Sequence, residues 1–138
     1  MNEHKINHVA VITVTLLSFM FGWIWYGPLF QDAWAKAVGL TLAEIQANPP
    51  GLGVWITNIV TILSTVYALA WLFTKLKVES LIDGVRYAFV IGFVFVLLSR
   101  MTSDMFAKNP YELTWITGGY DLARIVIAGA ILSVWRKK

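Results

Sequence analysis

Cysteine is absent from the 138-residue chain, and histidine occurs only twice. The first absence excludes disulfides, thiol nucleophiles and every cysteine-based metal or redox centre. Charge is scarce as well: 14% of the residues are Asp, Glu, Lys or Arg, against roughly 25% in an ordinary soluble domain. The four prolines stand at 28, 49, 50 and 110, between the long apolar runs and not inside them. No Ser-His-Asp set, glycine-rich phosphate loop or pair of carboxylates on one helix can be identified. His4 and His8 are four apart, a spacing that suits a metal on a helix, but only Glu3 lies near as a third ligand. The chain therefore reads as a non-enzyme with no metal site and no cofactor.

What the sequence does contain is apolar surface. Hydrophobic residues make up 58%, with seven Trp, five Tyr and eight Phe, and the mean hydropathy is +0.67. A soluble fold this small could not bury so many apolar side chains, so the composition points to a membrane domain whose partner is the lipid bilayer. The net charge of +3 does not indicate nucleic acid, because the basic residues cluster at the ends of apolar segments and not on one polar face. The first apolar run, 9–26, is too long for the core of a secretory signal, although Ala33-Trp34-Ala35 has the look of a cleavage site.

Four spans are predicted, at about 8–26, 54–73, 81–101 and 113–135, forming an all-α membrane bundle in one domain, 1–138. In the first, Thr15, Ser18, Gly22 and Tyr26 recur at helical spacing. That stripe either packs against another helix or walls a polar cavity. Trp23, Trp25 and Tyr26 mark the exit from the membrane. A helical segment at about 28–47 follows, lying along the interface, with Phe30, Ala33, Trp34, Ala37 and Val38 on one stripe and a stop at Gly39. Within it, Thr41-Leu42-Ala43-Glu44 has the pattern of a capping box.

The second span carries Thr57, Thr61, Ser64 and Ala68 as a stripe, with Asn58 and Thr65 beside it. The third opens on Gly84, Ala88 and Gly92, a small-residue ladder that signals a helix contact. It ends on Ser99, Arg100, Ser103 and Asp104. An aspartate near a helix C-terminus opposes the macrodipole, so Asp104 needs a cation or open water. Counting Lys and Arg gives seven on one side (Lys5; Lys75, Lys77 and Arg86; Arg136, Lys137 and Lys138) against Lys36, Arg100 and Lys108 on the other. The positive-inside rule then puts both termini in the cytoplasm.

The run Gly22 through Trp34, with Trp25-Tyr26 and Pro28-Leu29-Phe30 in it, resembles the N-terminal signature of a family of small bacterial membrane proteins called domain of unknown function 1761. Gly92-Phe93, Gly119-Tyr120, Gly129-Ala130-Ile131-Leu132 and Trp135 fit the same resemblance. It implies a four-helix domain of the bacterial inner membrane and brings no activity or site residue with it.

The fourth span holds the anomaly. Asp121 and Arg124 stand three apart on one helix face, with Arg124 roughly 16 Å from either end of the segment at 1.5 Å per residue. Three readings are open. The two residues form a structural clasp, joined by Asn58 or a tyrosine. Alternatively Arg100 and Asp104 join them in an outward-open polar pocket lined by Tyr26, Asn58 and Tyr120. In the third, the helix begins only after Gly118-Gly119 and the charges are shallow. Two functions follow from these readings. One is a binding or accessory module that uses its small-residue faces to join a homo-oligomer or a larger complex and its pocket to hold a lipid headgroup or small anion. The other is a transporter or ion-conducting unit using Asp121 and Arg124.

Overall fold

The computed structural model describes residues 5–136. Four helices are long and apolar enough to cross a membrane: α1 (His8–Leu29), α4 (Leu52–Lys75), α5 (Leu81–Phe106) and α6 (Tyr111–Val134). Two short helices, α2 (Gln31–Val38) and α3 (Leu42–Ala47), connect α1 to α4. The first and last described residues share one end of the bundle, hereafter the near end, where Asn7 donates to the Trp135 carbonyl; α2, α3 and the turn between α5 and α6 occupy the far end. The long helices correspond to the four expected spans, with α5 running on to Phe106.

α6 is the axis. Half of its most apolar stretch is buried, against 22–28% for the other three, and it packs on α1, α4, α5 and also α2. Its composition explains the role. Gly129 lies so close to α5 that a Cβ there would meet the Ala88 Cβ and sit 2.8 Å from the Gly84 carbonyl; one on Gly92 would come within 2.8 Å of Leu122 Cδ1. The small-residue ladder of the third span is thus consumed inside the protomer, at the α5–α6 seam, and is not left free to join a partner. Backbone cannot yield as a side chain can, so Gly129→Val is expected to destabilise the fold by about 1–3 kcal/mol. Thermal or denaturant unfolding in detergent reads this directly. Gly53→Ala, where an added Cβ meets nothing within 4 Å, should not lower stability.

An apolar core fills the near half. It contains Val11 and Val14 of α1, Ile62, Val66, Leu69 and Phe73 of α4, Ala88 of α5, and Ile125, Ala128 and Leu132 of α6. Arg136 closes that end by donating from Nε to the Ser133 carbonyl (2.6 Å) and from its two Nη atoms to Val78 (2.7 Å) and Glu79 (2.6 Å). It latches the α4–α5 connection to α6 instead of standing free as a membrane anchor. Lys137, Lys138, Glu3 and His4 lie outside the described residues. His8 engages the Tyr67 hydroxyl at 3.0 Å.

In the far half, α4 keeps a ring contact with α1, Trp55 edge-on to Phe19 at 5.9 Å, but residues 51–61 are all exposed, and burial begins at Ile62. Asn58 is therefore on an exposed stretch and does not line a pocket with the fourth span. Asn58 shares no core with α6 because the packing of α4 on α6 runs through Leu69, Ala70 and Phe73, three turns away. The stripe Thr57, Thr61, Ser64 and Ala68 also faces away from the bundle. The stripe of α1, by contrast, is buried at Thr15 and Ser18 against α6.

α1 bends at Gly27, whose φ of −97° and ψ of −107° are not helical, and a π turn over Trp25–Leu29 carries Pro28. α2 then folds back against α6; Phe30, Trp34, Ala37 and Val38 of the expected stripe are half-buried, while Ala33 is exposed and Ala35 is the buried residue. Gly39, at φ 74°, ends α2 in the left-handed region that favours glycine. The α3 cap forms as its pattern predicts. Thr41 N–H donates to Glu44 Oε2 at 2.8 Å and Glu44 N–H to Thr41 Oγ1 at 3.2 Å; the Thr41 amide and hydroxyl hold the Glu44 carboxyl below its ordinary value.

Candidate functional site

The register of α5 decides which polar residues meet α6. Gly84, Ala88 and Gly92 are buried at intervals of four, but the next buried residue is Leu97, five further on. A π-helical stretch over Ile91–Leu97 accounts for the extra residue, and each such insertion turns the helix beyond it by about 100°. An unbroken α-helix would bring Ser99 and Ser103 to α6. With the π stretch, Leu97, Arg100 and Asp104 take those places, and Ser99 and Ser103 are exposed.

Arg100 Nη2 donates to Asp121 Oδ2 at 2.8 Å. Arg124 Nη2 stands 3.5 Å from Asp121 Oδ1. The carboxylate thus makes its short bond across helices, to α5, and only a loose contact along its own helix, so the Asp121–Arg124 clasp is not closed on itself. Exposure is graded: the side chains of Arg100, Asp121 and Arg124 are 42%, 14% and 6% accessible. The helix runs unbroken from Tyr111 through Gly118-Gly119, which removes the reading in which it begins beyond them.

α1 supplies the aromatic side of the site. Tyr120 donates its hydroxyl to the Ser18 carbonyl at 3.3 Å, close over Gly22, where a Cβ would come within 2.7 Å of that oxygen. Its ring faces the Arg124 guanidinium, 5.8 Å from carbon to centroid. Tyr26 stands edge-on to Tyr120 at 5.2 Å and to Trp34 of α2 at 6.2 Å. Trp25 turns inward and donates Nε1–H to the Ile116 carbonyl at 2.9 Å, while Trp23 is 80% exposed. Trp25 is absent from the expected site, yet the α1 stripe Thr15, Ser18, Gly22 points to it: three residues beyond Gly22 is the same face.

Asp104 belongs elsewhere. Its carboxylate accepts from the Thr114 hydroxyl (2.6 Å) and the Asn109 amide (3.1 Å), tying the turn between α5 and α6. The tight turn returns Thr114 to it, and the charge of Arg100, one turn back on the same face of α5, acts on it as well. Five of the seven expected residues, Tyr26, Arg100, Tyr120, Asp121 and Arg124, are brought together; Asp104 and Asn58 are not.

Two guanidinium groups share the Asp121 carboxylate, Arg100 at 2.8 Å and Arg124 only at 3.5 Å, while Asp104, which Arg100 also acts on, is bonded to the turn. Arginine does not lose its proton in a protein, and burying it costs several kcal/mol. A cation–π contact returns about 0.5–2 kcal/mol, and a 3.5 Å ion contact is too long for a good hydrogen bond. Among the described residues, Arg124 Nε has no hydrogen-bond partner. The cluster is built to tolerate, or to receive, more negative charge than it contains.

Four helices of membrane-spanning length and composition, gathered into a bundle, define a multi-pass membrane protein. Within that class the chain belongs to the family described as Protein of unknown function (DUF1761), whose family model matches residues 9–133. No curated protein and no solved structure matches the chain.

Proposed function

We propose that the protein is a small, non-catalytic binding or assembly module of the bacterial inner membrane, with both termini cytoplasmic and its polar site open to the outer face. The observation that carries this reading is the incompletely paired charge of Arg124 beside Arg100 and Asp121, in a cluster graded from half-exposed to buried. Beneath Arg124 the bundle is closed by Val14, Val66, Ile125 and Ala128, which favours a blind site over a transport path. The count of seven basic residues near the termini against three at the far end supports the orientation. Assembly with a second copy or a larger complex would use the exposed far half of α4, since the small residues of α5 and α6 are already packed on each other.

The cysteine-free sequence makes the test clean. Thr117, one turn from Asp121 towards the far end and partly buried, is replaced by Cys in sealed vesicles of known orientation. A membrane-impermeant anionic thiol reagent is expected to label Thr117→Cys from the outer side only. Labelling from the cytoplasmic side alone would reverse the orientation and overturn the reading. Labelling from both sides would replace it with the transport alternative.

A further inference from the structure

Arg124 is 5% exposed, yet its guanidinium makes no contact shorter than 3.5 Å with an acceptor among the described residues, and its Nε–H points at none. Arg100 outcompetes it for the carboxylate, taking Asp121 Oδ2 at 2.8 Å. The helix geometry aims the side chain: residues on α6 lean towards its N-terminus, so the guanidinium rises from its Cα to the level of Tyr120, over whose ring it lies. Towards the far end lie Asp121 and the half-exposed Arg100. Tyr26 stands on the other side, its ring against Tyr120 and its hydroxyl within the fields of Arg100, Asp121 and Arg124.

We propose that Arg124 and Arg100 together bind one singly charged oxyanion, a phosphodiester, dihydrogen phosphate or carboxylate group, Arg124 from the buried side and Arg100 from the exposed side. The inference rests on the outward-facing polar site described above and adds the chemistry of its ligand. A planar guanidinium presents two parallel N–H donors that match two oxygens of such a group; Arg124 has donors to spare, and the fork geometry suits an oxyanion better than a lone halide. The charge left over sets the valence. Arg100 is taken by Asp121 and acts on Asp104 as well, so the charge left short of a partner is that of Arg124, which one negative charge satisfies and a second would set against the Asp121 carboxylate. Asp121 thus acts as a positioning residue: it fixes Arg100 and weights the site against doubly charged ligands.

The chemistry is shared by an anionic lipid headgroup and a free solute, and the experiment separates them. The full chain, in a neutral maltoside detergent free of phosphate, is labelled with ¹⁵N-arginine, and the Nε–H resonances of Arg124 and Arg100 are followed. The probes are inorganic phosphate at pH 5.5, formate, sulfate, and short-chain phosphatidylglycerol. The Arg124 resonance is expected to move and saturate, with sulfate at least tenfold weaker than formate. Saturation by phosphate or formate supports a soluble ligand; a response to phosphatidylglycerol alone supports a lipid headgroup. Arg124→Lys, which keeps the charge but loses the fork, should weaken binding at least tenfold while the near-ultraviolet dichroism of the Trp25–Tyr120 cluster stays native. Arg100→Gln, on the exposed side, should weaken it as well and serves if Arg124→Lys does not fold. A resonance unmoved by all four probes, or sulfate binding as tightly as formate, overturns the proposal. If that happens while Thr117→Cys is still labelled from outside, the ligand is wrong and the outward-facing site stands; if the labelling fails too, the site reading itself has failed.

Discussion

Asp121→Ala is expected to cost about 3–5 kcal/mol of folding stability, the loss typical when one partner of a buried ion pair is removed. The substitution leaves Arg124, with a side chain 6% accessible, facing Arg100 across the seam with no carboxylate between them. Arg100→Ala should cost much less. Its side chain is 42% accessible, so water replaces part of what is lost, and Asp121 keeps Arg124 as a neighbour. The asymmetry is the informative part. Adding Arg124→Leu to Asp121→Ala should recover most of the loss, since an apolar side chain removes the stranded charge. Unfolding of the three variants in mixed micelles provides the comparison, and an Asp121→Ala penalty below about 1 kcal/mol would show that water, not Asp121, satisfies Arg124.

The second large effect is geometric. Inserting one alanine after Val94, an exposed residue inside the π stretch of α5, adds a second extra residue there and should turn the rest of α5 by about 100°. The Gly84, Ala88 and Gly92 ladder keeps its grip on α6, but Arg100 swings away from Asp121 and Asp104 away from Thr114. Hydrogen bonds to charged groups contribute about 1.5–3 kcal/mol each, so losing both is expected to cost about 3 kcal/mol or more. The diagnostic is the coupling between Arg100→Ala and Asp121→Ala, present in the parent and absent after the insertion. Coupling that survives would mean the register comes from the turn at Ala107–Pro110 and not from the π stretch.

These two predictions mark the boundary of what linear reading could reach. The four spans follow from apolar length, the α3 cap from Thr41 and Glu44, and a close helix contact on α5 from Gly84, Ala88 and Gly92 at intervals of four; all are local patterns whose physics is contained in the residues themselves. The strained charge on the fourth span was equally visible, because a charged residue near the centre of an apolar helix needs compensation wherever it faces. Its partner was not. Both Arg100 and Asp104 stood as candidates on an assumed regular helix, and nothing in Ile91–Leu97 announces a π stretch, so the actual facing of α5 could not be worked out by counting.

Asn58 failed for a different reason. Its place on a helix was read correctly, but whether α4 stays against the bundle at that depth depends on how two helices diverge, and divergence is set by the side chains of both. The sequence by itself determined that the chain is an apolar four-span bundle with an aspartate and an arginine in its last span. Only the tertiary structure decided that Arg100, not Arg124, makes the short bond to Asp121, that Asp104 serves the turn, and that Arg124 is left with unspent donors, because helix register and helix separation are properties of pairs of surfaces and not of any one segment.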